Sequence, residues 1–467
     1  MLKGIDNRLN AEVLHALRLM GHGDVLIVAD TNFPSDSISR STVYGELLRM
    51  ENLSAAEAID AILSVMPLDT FVDDFAGRME IVGEPDKLPP VQEEVQKEEK
   101  HAPSKHQCIK KKMRIDMFGV IMAGGQGSRL RPLTLTRPKP MVELLGRPVI
   151  DFVKDAMIDA SIDNIVVTTG YRGEQLKTHV SSWKSSTVNA WVNQEDSPMG
   201  TAGSVRLLSE HLTETFVVGS GDSVASFDIG LLLEAHRASG AKVTMALWEV
   251  EDPTEFGIVG LSELHNGELN GELREGFIRR FKEKPTIEEA FSNVINAGLY
   301  ILEPEVLAMI PEGVKFDFSK QLFPMVLEKG WPMYAKTIDG VWFDVGHPSE
   351  LIRAQHTLMR QRENLPFPIP NGDFSEDSFV AESAENYGTL TGSVLSSSSQ
   401  VESNSQLTDV LVMSNSVVEQ GCSIHNCVLG EHVQIGSGSV LKNVVVGDGV
   451  VVEAGSQYQD CRIPESE

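Results

Sequence analysis

Apolar residues recur at helical spacing in two early segments, AEVLHALRLM (11–20) and SAAEAIDAILSVM (54–66), which predicts two amphipathic helices. Between them DVLIVAD (24–30) is a short unbroken apolar run that reads as a buried strand. From Met117 the rhythm changes abruptly. Strand-like runs (FGVIMA, NIVVTTG, TFVVGSGD, KVTMALWEV, VINAGLYIL) alternate with helix-like ones such as GRPVIDFVKDAMIDA and IGLLLEAHRAS. That alternation predicts an α/β domain built on a mainly parallel, mixed sheet. After ENLPFPIPNG (363–372) the chain becomes rich in Val, Ser, Gly and Asn, and it repeats. Leu395, Val412, Leu429 and Val446 stand 17 apart, as do Val401, Val418, Ile435 and Val452, with Gly421, Gly438 and Gly455 in a third register. A fixed period of this kind predicts a solenoid, here a parallel β-helix whose coils stack their aliphatics inward.

These changes of texture divide the chain into a small α/β segment (1–83), a charged linker (84–116), an α/β domain (117–362), a Pro-containing linker (363–386) and a repeat domain (387–467). No apolar run approaches the roughly 18 residues of a membrane span, and the opening MLKGIDNRLN lacks the apolar core of a secretory signal. The four cysteines, Cys108, Cys422, Cys427 and Cys461, show no CxxC spacing, which points to a reducing, cytoplasmic setting rather than a disulfide or zinc scaffold. The formal net charge of -27 disfavours nucleic acid and anionic membranes as partners. Against that background, residues 117–142 contain no Asp or Glu but include Arg129, Arg131, Arg137 and Lys139. A basic island in an acidic chain is a place for a small anion.

Within the island, GVIMAGGQGSRLRPLTLTRPKPM places Gly124, Gly125 and Gly127 directly after a strand. Glycines there let backbone amides approach a phosphate, and a helix starting next would aim further N–H groups at it. Arg129 offers a planar cationic fork, and Lys139, between Pro138 and Pro140, a point charge on stiffened backbone. A structural turn explains GGxG alone equally well, and neither GK[ST] nor GxGxxG is present. Taken singly, Lys284 can equally be a solvated turn lysine and Asn296 a satisfied strand amide, while a cap on the next element is the lesser alternative for Asp222. Asp344, beside Trp342 and Phe343, calls for a partner, since a carboxylate in an apolar run is costly unpaired.

The combined loop resembles that of the sugar-1-phosphate nucleotidyltransferases, and five further motifs follow in that family's order: QEDSPMGTAGSV, VVGSGDSV, FKEKP, INAGLYIL and VWFDVGHPSEL. The resemblance covers about Met117 to Leu358 and implies a Rossmann-like domain. It implies that Arg129 and Lys139 bind the nucleotide phosphates, that Glu195 and Gly200 face the base, and that Asp222 and Asp344 hold Mg2+. It further implies that Lys284 binds the sugar phosphate and that Gly257, Glu283 and Asn296 contact the sugar. The substrates would be a nucleoside triphosphate and a sugar 1-phosphate. A carboxylate at 195 only accepts hydrogen bonds, and guanine offers adjacent N1–H and N2–H2 donors, which favours GTP. A uridylyltransferase, or a catalytically silent subunit that binds nucleotide sugars, are the alternatives.

Residues 1 to about 80 resemble the fucose and ribose mutarotase family. His22, in MGHGD, would be its proton donor and Asp30 its sugar ligand; the family's later Arg-bearing and YGN-like segments have no counterpart, which predicts a truncated remnant with little or no activity. The 17-residue repeats resemble the left-handed β-helix that follows many nucleotidyltransferase domains, and the short tail is expected to serve homo-oligomerisation.

Overall fold

A computed structural model of the chain describes residues 5, 6, 8–20, 26, 28, 39, 44, 46–50 and 53–65, and then 117–465 except 171–172, 186–187, 363–364, 366–367 and 376. His22, Asp30, most of the DVLIVAD run and the expected linker 84–116 lie outside the described residues. The chain divides into two compact units, 1–115 and 116–467.

In the first unit both expected helices form. Ala11–Leu19 (α1) is capped by the Asn10 side chain, which accepts from Val13 N. Ala55–Leu63 (α2) starts with a reciprocal capping box between Ser54 and Glu57. Leu9, Val13, Ala61 and Ile62 are buried against one another.

The second unit opens with a nine-stranded sheet. Its strands are Phe118–Met122 (β1), Asn164–Thr169 (β2), Asn189–Gln194 (β3), Phe216–Ser220 (β4), Val243–Glu249 (β5), Gly257–Ser262 (β6), Glu275–Glu283 (β7), Val294–Leu302 (β8) and Met333–Thr337 (β9). The spatial order is β3-β2-β1-β4-β8-β5-β9-β7-β6. Pairings β1–β2, β1–β4, β2–β3 and β5–β9 are parallel. Those of β8 with β4, β5 and β6, and of β7 with β6 and β9, are antiparallel. The sheet is mixed, as expected, but it is not mainly parallel: its parallel order is concentrated in the first half, and β6, β7 and β8 pair antiparallel. Crossover helices Ile150–Asp159 (α3) and Gly173–Ser182 (α4) link β1 to β2 and β2 to β3. The connection β6–β7 carries no helix, and those strands pair antiparallel, while β5 and β6 run the same way, each antiparallel to β8.

Strands β1 and β4 run side by side, with Met122 opposite Ser220. Their following segments therefore leave the sheet at one edge, and Gly221 N donates to Met122 O at 2.9 Å. Such a carboxyl-end crevice is where ligands bind in open α/β sheets. A small antiparallel pair, Ser223–Ala225 with Trp342–Asp344, sets Asp344 opposite Ser223 and so next to Asp222.

The repeat domain forms as two parallel ladders. Val394, Leu411, Val428 and Val445 are successive partners, as are Leu395, Leu429 and Val446 with Val412 between the first two. The second ladder stacks Val401, Val418, Ile435 and Val452. Gly421, Gly438 and Gly455 turn the coils with φ of 73°, 71° and 71°, values that suit glycine. The stretch 363–386 is not linker throughout: Phe379–Ala381 and Glu385–Asn386 already belong to these ladders, and Gly372–Phe374 pairs antiparallel with Phe379–Ala381. Helix Pro348–Gln361 (α5) packs between the two domains. One buried cluster combines Leu130, Leu133, Leu144, Leu351 and Leu358 with Phe379, Val394, Leu411 and Val428. The two domains share a core. No helix among the described residues is long and apolar enough to cross a membrane.

Candidate active site

The Lys139 ammonium sits between two carboxylates, 2.5 Å from Asp222 Oδ2 and 3.1 Å from Asp344 Oδ1. Lys139 is buried, while the two acids keep about 30% of their side chains open (29% and 30%), so the cluster meets solvent through its carboxylates. The Ser220 hydroxyl donates to Asp222 Oδ1 at 2.5 Å. Burial works against ionisation of Asp222, but the Lys139 charge and these hydrogen bonds prevail and hold its carboxyl below the ordinary range. Asp344 moves the other way: burial and the neighbouring Asp222 charge raise it, with Lys139 and Arg129 opposing. Two carboxylates sharing one ammonium leave the pair short of positive charge.

Arg129 lies close by. A Cβ placed on Gly346 would stand 3.2 Å from its Nη2 and 3.3 Å from Asp344 Oδ2, so the glycine of VWFDVG clears room for the guanidinium. Arg129 is exposed and makes no ion pair among the described residues. The glycines of the loop have unequal tasks. Gly127 has φ 62° and presses on Lys139, whose Cβ lies 2.9 Å from the position a Cβ would take. Gly125 borders open space and Gly124 nearly so, leaving their backbone accessible. No α-helix follows, contrary to expectation; short 3-10 turns Ser128–Leu130 and Leu133–Leu135 do, because Pro132 and then Pro138 interrupt the run.

The segment from Glu195 to Gly203 is tied down by bonds within the chain. Glu195 is buried and accepts from Met199 N through Oε2 at 2.9 Å, while Oε1 lies 3.9 Å from the Cβ position of Gly124. Gly200 has φ 76° and its Cβ position is 2.6 Å from Phe316 O. That carbonyl also accepts from Ala202 N and Gly203 N, so these amides of helix Gly200–Arg206 are occupied within the chain.

Farther along the crevice, Gly257 pairs with Glu283 across β6 and β7; a side chain at 257 would meet Glu283 Oε2 at 2.8 Å. Asn296 shapes a bulge in β8: its Oδ1 accepts from Gly298 N and its Nδ2 donates to the Tyr300 hydroxyl at 2.7 Å. Ser319 lies near both Glu283 and Tyr300, and burial raises the Glu283 carboxyl, with Lys284, Lys320 and Ser319 opposing. Lys284, by contrast, points its ammonium at Glu255 at 3.3 Å and is half-exposed. The structure thus brings together Arg129, Lys139, Asp222 and Asp344, with Glu195 beside the loop, and groups Gly257, Glu283 and Asn296 separately. It does not bring Lys284 to the acid pair.

Sequence reasoning missed Ser220, Tyr300, Ser319 and Gly346. Only Gly346, two residues after Asp344, carried a local signal. Half of the basic island is engaged within the chain: Lys139 by Asp222 and Asp344, and the buried Arg137 by Asp448 and Glu431.

Comparison with known proteins agrees with this geometry. Residues 118–361 match the family described as "Nucleotidyl transferase", residues 3–127 the "RbsD / FucU transport protein family", and residues 375–458 "GlmU-like, C-terminal hexapeptide". The N-terminal match runs past the boundary expected at residue 83 and overlaps the start of the next one. Curated relatives include a UTP–glucose-1-phosphate uridylyltransferase of Synechocystis, 31% identical over 267 residues, covering 54% of this chain and 66% of the relative. A mannose-1-phosphate guanyltransferase of Saccharomyces cerevisiae is 35% identical over 240 residues (50% of this chain, 63% of the relative). A mannose-1-phosphate guanylyltransferase catalytic subunit beta of Danio rerio is 33% identical over 240 residues, with the same coverage. The chain therefore spans a little under two thirds of these relatives' length. With just over half of its residues matched, and with the crevice built as described, the chain belongs to the nucleotidyl transferase family.

Proposed function

We propose that the chain transfers a nucleotidyl group from a nucleoside triphosphate to a sugar 1-phosphate, giving a nucleotide sugar and pyrophosphate. The observation that carries this reading is the Lys139–Asp222–Asp344 cluster beneath an acid-free glycine loop. A sugar 1-phosphate is already ionised near neutral pH, so its oxygen can attack the α-phosphorus without a general base. The residues' task is then to hold two anions in line and to neutralise charge as it spreads. Arg129 and Lys139 act on the triphosphate, and loss of either preorganised contact costs about 3–4 kcal/mol.

Mg2+ fits the donor set. Asp222 and Asp344 are hard oxygen ligands deficient in positive charge, and a hydrated Mg2+ needs only one or two protein carboxylates beside substrate phosphates. When bound it would neutralise phosphate oxygens. Lys139 holds both carboxylates in register, and Ser220 fixes the rotation of Asp222.

Glu195 supports GTP. With Oε2 engaged by Met199 N, Oε1 is left as an acceptor, which suits the guanine N–H edge and repels the carbonyls flanking N3–H of uracil. Gly257, Glu283 and Asn296 would line the sugar, with Lys284 leaving Glu255 to meet its phosphate. The sequence resemblance supports a left-handed coil and homo-oligomerisation for the repeats. The cysteine spacing supports a reducing, cytoplasmic setting, and the lack of the mutarotase family's later Arg-bearing and YGN-like segments supports little or no activity for the N-terminal segment.

Pyrophosphate release across four nucleoside triphosphates and a panel of sugar 1-phosphates tests the reading. GTP should give the highest kcat/KM, and Glu195→Gln should narrow its lead over UTP. Tight nucleotide-sugar binding without turnover of any pair would make the chain a silent regulatory subunit.

A further inference from the structure

Three successive coils each present a polar residue at one shared position to the catalytic domain. Ser414, Glu431 and Asp448 occupy the same position of three successive coils, 17 residues apart, and all three contact the segment that carries Lys139. Asp448 accepts from Arg137 Nε at 2.9 Å, from its Nη2 at 2.7 Å, and from the Thr136 hydroxyl. Glu431 accepts from Arg137 Nη1 at 2.5 Å. Ser414 donates its N–H and hydroxyl to Glu143 at 3.1 and 2.8 Å.

The contacts are enclosed: the side chains of Arg137 and Asp448 are only 6% and 12% exposed, and Glu143 is buried. Breaking a paired, buried charge is far costlier than breaking a surface pair, so this column grips the loop. The column is itself braced, since Asp448 Oδ1 accepts from Glu431 N at 2.9 Å. Two more contacts fix the loop's earlier half. Arg462 donates to the Arg131 carbonyl at 2.6 Å, and the Cβ position of Gly447 lies 3.0 Å from Pro132 Cβ.

Only Pro138 separates Arg137 from Lys139. Its ring fixes φ, and Pro140 follows at once, so little torsional freedom exists to absorb a shift of Arg137. We propose that the β-helix sets the active conformation of the phosphate loop. In this view Arg137, Glu431 and Asp448 are positioning residues that hold Lys139 between Asp222 and Asp344. The repeat domain would thus be part of the catalytic apparatus, beyond any role in oligomerisation. The kinetic side of this inference rests on the function proposed above.

The test uses the full chain with Asp448→Asn, read by hydrogen exchange over residues 128–142 and by steady-state kinetics. Exchange in that loop should quicken while exchange in the coil strands 423–446 stays as in wild type. The KM for the triphosphate should rise about tenfold, the equivalent of one weakened charged contact, with the KM for the sugar phosphate unchanged. Partial unfolding lowers the active fraction and moves neither KM. Gln355→Ala removes a hydrogen bond between the domains at Gly392 O, away from the loop, and should change neither reading. If Asp448→Asn does not fold, Thr136→Val deletes one bond to the same carboxylate and should shift both readings in the same direction by less. Wild-type loop exchange in these variants, or a loosened loop with wild-type KM, would overturn the proposal. A wild-type chain that turns over no substrate pair refutes the proposed function alone; GTP–Mg2+ affinity measured by calorimetry then replaces KM in the same comparison.

Discussion

At the residue scale, the acid pair makes a signed prediction about pH. Asp344 is raised above the ordinary carboxylate range by burial and by Asp222, whereas Asp222 is lowered by Lys139. A cation binds the ionised form, so turnover should fall as pH drops through the raised Asp344 value. Added Mg2+ should move that acid limb to lower pH, because it stabilises the carboxylate. A folded-state pKa above the unfolded one means that the folded chain binds this proton more tightly, so the group's contribution to stability rises as pH falls. Activity should therefore be lost at the limb without unfolding, as rate and circular dichroism measured across the same pH series would show. A limb at the ordinary aspartate pKa that Mg2+ does not shift would contradict the assignment.

At the element scale, two glycines of the site should behave in opposite ways. Gly200 has φ 76° and a carbonyl 2.6 Å from where a Cβ would sit. Gly200→Ala should cost about 1–3 kcal/mol from the backbone conformation alone, more with the clash against Phe316 O, and should weaken nucleotide binding as Met199 and Glu195 shift. Gly125 has nothing within 4 Å of that position. Gly125→Ala should leave the denaturation midpoint unchanged and lower turnover only, because in the proposed function its open backbone is the face offered to phosphate. Urea titration together with pyrophosphate release separates the two. An equal stability loss in both variants would show that the loop glycine is structural.

At the scale of the whole molecule, the shared core decides the behaviour of the second unit. Leu130, Leu133, Leu351 and Leu358 are buried together with Phe379, Val394 and Leu411 of the repeats, and each such side chain contributes about 1.5–3 kcal/mol when fully buried. A chain ending before Gly372 would expose that face and should aggregate. In the full chain, the catalytic and repeat domains should melt in one calorimetric transition. Two resolved transitions, with a soluble truncated domain, would show that the core is not cooperative across the boundary.

Much of this was legible along the chain. The helices at Ala11–Leu19 and Ala55–Leu63, the strands from Phe118 to Thr169 and the 17-residue stacking follow from local periodicity and capping, which neighbouring residues alone specify. The glycine loop and the order of motifs pointed to the family, and Lys139, Asp222 and Asp344 do meet. What the sequence could not determine depends on groups far apart in the chain. Strand direction beyond β5 turns on how connections close over the sheet. The sharing of one ammonium by two acids follows from the pairing of Ser223–Ala225 with Trp342–Asp344. The fate of Arg137 is the sharpest case. Its sequence neighbours make it part of an anion site, yet Glu431 and Asp448 neutralise it from across the fold. Local pattern encodes which elements form; which charges remain free for a substrate is decided only when tertiary packing chooses their partners.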